Sequence, residues 1–134
     1  MRRLVALLGC AVLAGCGGSP APDLFEVRRT GSDRNANLTM LVSDDGSVTC
    51  NGRKHPISGE RLLEARALER ELSPQAELNL VLPPGPTPVL SYRARMEAGE
   101  VSFADTSRPL PPSFSKLTAF TADVSENVCG ITRG

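Results

Sequence analysis

Four kinds of residue in this chain could do chemistry: one histidine, two adjacent aspartates, three arginines in strand-like alternation and four cysteines. His55 lies in Asn51-Gly52-Arg53-Lys54-His55-Pro56, a polar loop by composition. An imidazole base needs an orienting partner and a nucleophile within reach. Ser58 is close in sequence but no third member of a triad is identifiable, so His55 reads as an exposed loop residue. Asp44-Asp45 could suggest calcium, yet a calcium loop needs oxygen ligands at several fixed positions. Hairpin-turn chemistry in Asp44-Asp45-Gly46 explains the pair, since glycine supplies a positive φ cheaply. Asn37-Leu38-Thr39 matches a glycosylation acceptor only by chance. No residue pattern calls for a metal or cofactor, and the chain does not read as an enzyme.

Arg28, Arg93 and Arg95 alternate with apolar positions on different expected strands. If those strands are neighbours, the guanidiniums form a stripe on an open sheet face. Such a stripe suits anionic lipid headgroups or a partner's carboxylates. Glu26 and Glu100 fall in the same alternation, so a solvated, charge-balanced face is the simpler expectation. Pro83-Pro84-Gly85-Pro86-Thr87-Pro88 reads as a stiff connector that could also dock in an aromatic groove.

The cysteines divide by context. Met1-Arg2-Arg3 is a basic start, and Leu4 to Ala14 is apolar or small throughout. That run is shorter than the roughly 20 residues a membrane-spanning helix needs, and it reads as an export signal. Leu13-Ala14-Gly15-Cys16 ends it. This tetrapeptide resembles the lipobox of bacterial lipoproteins, in which the cysteine thiol receives a diacylglycerol and the leader is cut just before it. The resemblance implies a signal peptide over residues 1–15, lipidation of Cys16, a flexible tether over 16–23 and attachment to the extracytoplasmic side of the cell membrane. Two acyl chains suffice for stable anchoring. Cys10 lacks the lipobox context and reads as part of the apolar leader.

Cys50 and Cys129 remain. In an oxidising compartment one pair is expected to form a structural disulfide closing a loop of about 80 residues. The alternative is two separate buried thiols. No Cys-x-x-Cys motif points to redox chemistry.

These residues need a scaffold, and composition bounds it. The chain has 134 residues, 15 basic and 15 acidic side chains, four Phe, one Tyr and no Trp. Losing Arg2 and Arg3 with a leader leaves a slight acidic excess. With few aromatics for stacking, nucleic acid is not an expected partner.

Phe25-Glu26-Val27-Arg28 alternates as a strand does. Leu38, Met40 and Val42 share a face of a second strand, and Val48 and Cys50 one of a third, closed by Asn51-Gly52. Ser58 can cap a helix in which Leu62, Ala65, Leu68 and Leu72 recur at helical spacing. Ser73-Pro74 is expected to end or kink it. Leu78 to Leu82 is a strand or an extended segment. Leu90, Tyr92, Ala94 and Met96 form a half-buried strand, turned by Glu97-Ala98-Gly99 into a return strand with Val101 and Phe103. After Pro111-Pro112, Phe114, Leu117, Thr121, Val124 and Val128 repeat along a last helix, with Phe120 beside them and Cys129-Gly130 at its end. The expected fold is one α+β domain over 24–134. Its antiparallel sheet has about five strands, with two helices on one face, in the order βββα(β)ββα.

Phe25-Glu26-Val27-Arg28-Arg29, Ser43-Asp44-Asp45-Gly46 with Cys50, the Tyr92 strand, Phe103-Ala104-Asp105-Thr106 and Val128-Cys129-Gly130 resemble a group of small actinobacterial lipoproteins. That resemblance implies a shared surface-located domain and no activity. Thr49-Cys50, His55-Pro56, the following helix and a late cysteine are similar in outline to the subtilisin-inhibitor-like family. Those inhibitors brace the protease-binding loop with a cysteine, and the loop after Leu82 has none. The expected function is a membrane-anchored, non-enzymatic interaction or envelope module. Its expected partner is the lipid bilayer through Cys16, with a protein partner also open. The alternative is a protease inhibitor.

Overall fold

Phe25, Val27 and Arg29 alternate with Glu26 and Arg28, and this two-residue period sets the first strand, β1 (Asp23–Gly31). The computed structural model describes residues 23–133. The expected leader, Cys10, Cys16 and all of the tether but Asp23 lie outside the described residues.

Three short strands follow: β2 (Leu38–Ser43), β3 (Ser47–Cys50) and β4 (Arg53–Pro56). Then come α1 (Gly59–Glu77), β5 (Leu90–Met96), β6 (Gly99–Ala104) and α2 (Pro112–Asn127). The sheet order is β4-β3-β2-β1-β5-β6, and every pairing is antiparallel. The domain is α+β as expected, with six strands instead of about five. The extra strand is β4, whose polar sequence reads as a loop. Asn51 (φ 48°) and Gly52 (φ 85°) both adopt left-handed conformations, the geometry of a tight hairpin turn. That turn folds Arg53–Pro56 back onto β3. Asn51 Oδ1 also accepts from the Thr39 amide at 2.9 Å, tying the turn to β2.

β1 is central because it serves two units, the β2-β3-β4 meander on one side and the β5-β6 hairpin on the other. The helices cover one face. From α1, Ala65, Leu68, Leu72 and Ala76 are buried; from α2, Phe114, Leu117, Phe120 and Val124. Phe120 meets Phe25 edge-on at 5.9 Å between ring centroids, and Phe114 stacks on Phe103 at 4.7 Å. Phe103 in turn stacks on Tyr92 at 5.2 Å. All five aromatic side chains therefore join helices to sheet, in geometries that favour ring pairs.

The Ser58 hydroxyl caps α1 by accepting from the Arg61 amide at 3.2 Å. The helix does not end at Ser73-Pro74; it runs on to Glu77. Proline removes one N–H, and burial of Leu72 and Ala76 on either side holds the last turn in register. Beyond it, Leu80 to Leu82 runs beside β6. The Ser102 amide donates to Leu80 O and the Leu82 amide to Ser102 O, a single parallel bridge at Val81 and not a full strand.

Cys50 is buried on the core side of β3 and forms a disulfide with Cys129, with 6.2 Å between their Cα atoms. Cys129 lies just beyond α2, which ends at Asn127, and not within the helix. Gly130 (φ 68°) then turns the chain away. The tail is held by the Ile131 amide on Ser125 O and by Asn35 Nδ2 on Thr132 O.

Candidate binding face

The face of the sheet opposite the helices gathers the arginines. β1–β5 pairing sets Arg28 opposite Arg93, Glu26 opposite Arg95 and Thr30 opposite Ser91. β5–β6 pairing sets Ser102 beside Arg93 and Glu100 beside Arg95. Side chains alternate along a strand. Burial of Val27, Tyr92 and Ala94 on the core face therefore forces Arg28, Arg93 and Arg95 onto the open one. The expected stripe and its expected balance are both present. Glu26 accepts from Arg28 Nε at 2.9 Å and lies 3.7 Å from Arg95, and Glu100 lies 3.4 Å from Arg93 Nε.

Like charges directly opposite on neighbouring strands repel, and the two carboxylates offset that. Arg28 and Arg93 remain 57% and 62% exposed. Exposed ion pairs of this kind contribute at most about 1 kcal/mol each. Their main effect is to hold the Nε edges of the guanidiniums.

Beside the arginines is a groove of about 460 Å³. Arg28, Arg93, Thr30, Ser91 and Ser102 line it, and Leu82 and Pro84 wall it at the β6 side. Pro84 belongs to the segment expected as a stiff connector and Leu82 ends the one expected as a strand or extended segment, and tertiary contacts pin both. Thr106 Oγ1 donates to Gly85 O at 3.1 Å and Ser107 Oγ to Pro83 O at 2.9 Å. A Cβ on Gly85 would sit 2.3 Å from Thr106 O, so only glycine allows this approach. The Asp105 carboxylate accepts from the amides of Val89 and Leu90 at 3.2 Å each.

The other candidate residues are placed apart from the groove. His55 lies on edge strand β4 opposite Val48, and the Ser58 hydroxyl is engaged as the α1 cap. The two aspartates turn the β2–β3 hairpin and have separate partners. Asp44 takes Arg66 Nε at 2.6 Å, while Asp45 accepts from the Ser47 amide at 2.9 Å and from Lys54 at 3.2 Å. The Ser47 hydroxyl, with help from Lys54, lowers the Asp45 pKa. Among the described residues no three His, Cys, Asp or Glu side chains gather to hold a metal.

Arg29 was not legible as a core residue. It is 1% exposed, in phase with Phe25 and Val27. Its guanidinium donates to Ala36 O at 2.8 Å and Asn35 O at 3.2 Å. Burial lowers its pKa from the usual arginine value, against an opposing pull from Tyr92. Burial likewise raises the Tyr92 phenol pKa, opposed by Arg29 and Arg133. The one signal available in the sequence was the alternation itself, which carries Arg29 inward.

No family model, curated protein or solved structure matches the chain.

Proposed function

We propose that this chain is a membrane-anchored, non-enzymatic binding module on the extracytoplasmic side of the cell membrane, and that the open face of its sheet is the binding surface. The anchoring half of this reading rests on the leader and on Leu13-Ala14-Gly15-Cys16, with Cys16 as the lipidated residue. The binding half rests on one observation: a sheet covered by helices on one face leaves Arg28 and Arg93 side by side on the other, next to a groove. A lipid anchor at Cys16 would keep that face within a short tether of the bilayer.

A photoreactive residue placed at Ser91 in the full chain, in host membranes, tests the binding half. Adducts are expected from Ser91 and not from an exposed position on α1 such as Arg70. Adducts from neither would overturn the reading. For the anchor, Cys16→Ala is expected to abolish acyl labelling and leave uncleaved precursor; normal labelling would reject it.

A second reading, protease inhibition, is favoured by the exposed Pro83–Val89 segment, because Thr106, Ser107 and Asp105 brace it in place of a cysteine. Stoichiometric inhibition of subtilisin by the purified chain would support it, and ordinary digestion of the segment would dismiss it.

A further inference from the structure

We infer that the groove on the open sheet face binds a small amphipathic oxyanion, a phosphate or carboxylate head carrying a short apolar body. Arg28 and Arg93 would take the head and Leu82 and Pro84 the apolar part. This deepens the reading that the open face is the binding surface and rests on it.

The argument starts from what the two guanidiniums have left to offer. Glu26 and Glu100 approach each at Nε. Among the described residues, no hydrogen bond engages the Nη nitrogens of either arginine. A guanidinium is a planar fork whose donors match the spacing of carboxylate or phosphate oxygens. Here two forks stand directly opposite each other in the register of β1 and β5, so one oxyanion can be held from both sides. Bringing an anion between them also relieves the repulsion that the pairing builds in.

The floor adds neutral donors. Thr30, Ser91 and Ser102 all face the groove, and their hydroxyls make no hydrogen bond among the described residues. The wall is of different character. Leu82 and Pro84 are apolar, and backbone bonds to Ser102 together with the Ser107 and Thr106 contacts set their positions before any ligand arrives. Preorganisation of this kind lowers the ordering cost of binding.

Size and chemistry then narrow the ligand class. A groove of about 460 Å³ lies in the ordinary range for small-molecule sites and far exceeds a bare inorganic anion. A purely apolar ligand would make no use of the Nη donors that Glu26 and Glu100 leave open. A nucleotide base would find little ring surface to stack on: Tyr92 and Phe103 border the groove, but their rings stack on the core side and the residues are only 6% and 3% exposed. The shared chemistry that remains could come from an anionic membrane phospholipid, whose phosphate has no headgroup cation beside it, or from a soluble amphiphile.

The test uses the full chain in phosphatidylcholine nanodiscs, with butyl phosphate, inorganic phosphate and butyltrimethylammonium as probes and amide chemical shifts as the readout. Butyl phosphate is expected to shift Thr30, Ser91, Arg93 and Ser102, with tighter binding than inorganic phosphate and no response to the cation. Arg28→Ala and Arg93→Ala should each weaken binding about tenfold or more, with an unchanged melting temperature. Arg93→Lys, which keeps the charge and loses the fork, should fall between. Repeating the titration in nanodiscs containing phosphatidylglycerol separates the sources. Loss of the butyl phosphate response there supports a lipid phosphate as occupant, and persistence supports a soluble one. Absence of shifts at these amides, or equal binding by the arginine variants, would overturn the proposal. If Ser91 cross-links a protein while butyl phosphate fails to bind, the open face remains a binding surface and only the oxyanion assignment falls.

Discussion

Removing the Cys50–Cys129 bond is expected to cost this domain a large part of its stability. The bond joins residues 79 apart in sequence, tying the β2–β3 hairpin to the tail after α2. On a chain-entropy argument, closing a loop of that size in the unfolded chain is worth roughly 4.5 kcal/mol, and removal of native disulfides from small domains typically costs about 2–5 kcal/mol. Folded-state contacts point the same way. The Ile131 amide bonds to Ser125 O and Asn35 Nδ2 to Thr132 O, so the tail stays in place without the bond and the loss falls mainly on the unfolded state. For a domain of this size the melting temperature should drop by roughly 8–18 °C. Cys50→Ser, Cys129→Ser and the double variant should be compared by circular dichroism without reductant. The two cysteines act as one unit, so the double variant should melt close to the singles. Two readily alkylated thiols in the native, unreduced protein would refute the reasoning, as would singles whose costs simply add.

Arg29→Ala should destabilise by about 1–3 kcal/mol in a denaturant titration, because it leaves the buried Ala36 carbonyl without its donor; Arg29→Met, which restores volume, should recover part of the loss. Gly99→Ala should cost about 2 kcal/mol or more by thermal melting, since its Cβ would sit 2.0 Å from Ala76 O at φ 148°. On acidification, the Asp123 carboxyl, held below the ordinary value of 3.8 by the Arg61 hydrogen bond and then by Asn127, contributes stability above the unfolded carboxylate pKa. That contribution is lost as pH falls through the lower folded value. Melting temperature should therefore fall below about pH 4, and less steeply in Asp123→Asn.

The α+β class, the two helices, the hairpin at Asp44-Asp45-Gly46 and the core face of each long strand follow from local rules. Periods of 2 and 3.6 in the apolar residues and a few turn residues dictate them whatever lies nearby. The pairing of Cys50 with Cys129 was also accessible, because strand phase put Cys50 on the side the last helix must cover. β4 was not, since Arg53-Lys54-His55-Pro56 has no apolar period and is a strand only because Asn51-Gly52 folds it onto β3. The inward path of Arg29 could not be read from its type. A buried guanidinium is tolerable only where carbonyls meet it, and those of Asn35 and Ala36 are brought there by the following turn. The groove belongs wholly to tertiary structure. Arg28 and Arg93 are distant in sequence and become neighbours through β1–β5 pairing across α1, and Leu82 and Pro84 become a wall only when β6, Thr106 and Ser107 hold them. Local periodicity says which way a side chain faces. Which side chains it faces with depends on non-local strand order, and that is decided by packing of the whole chain.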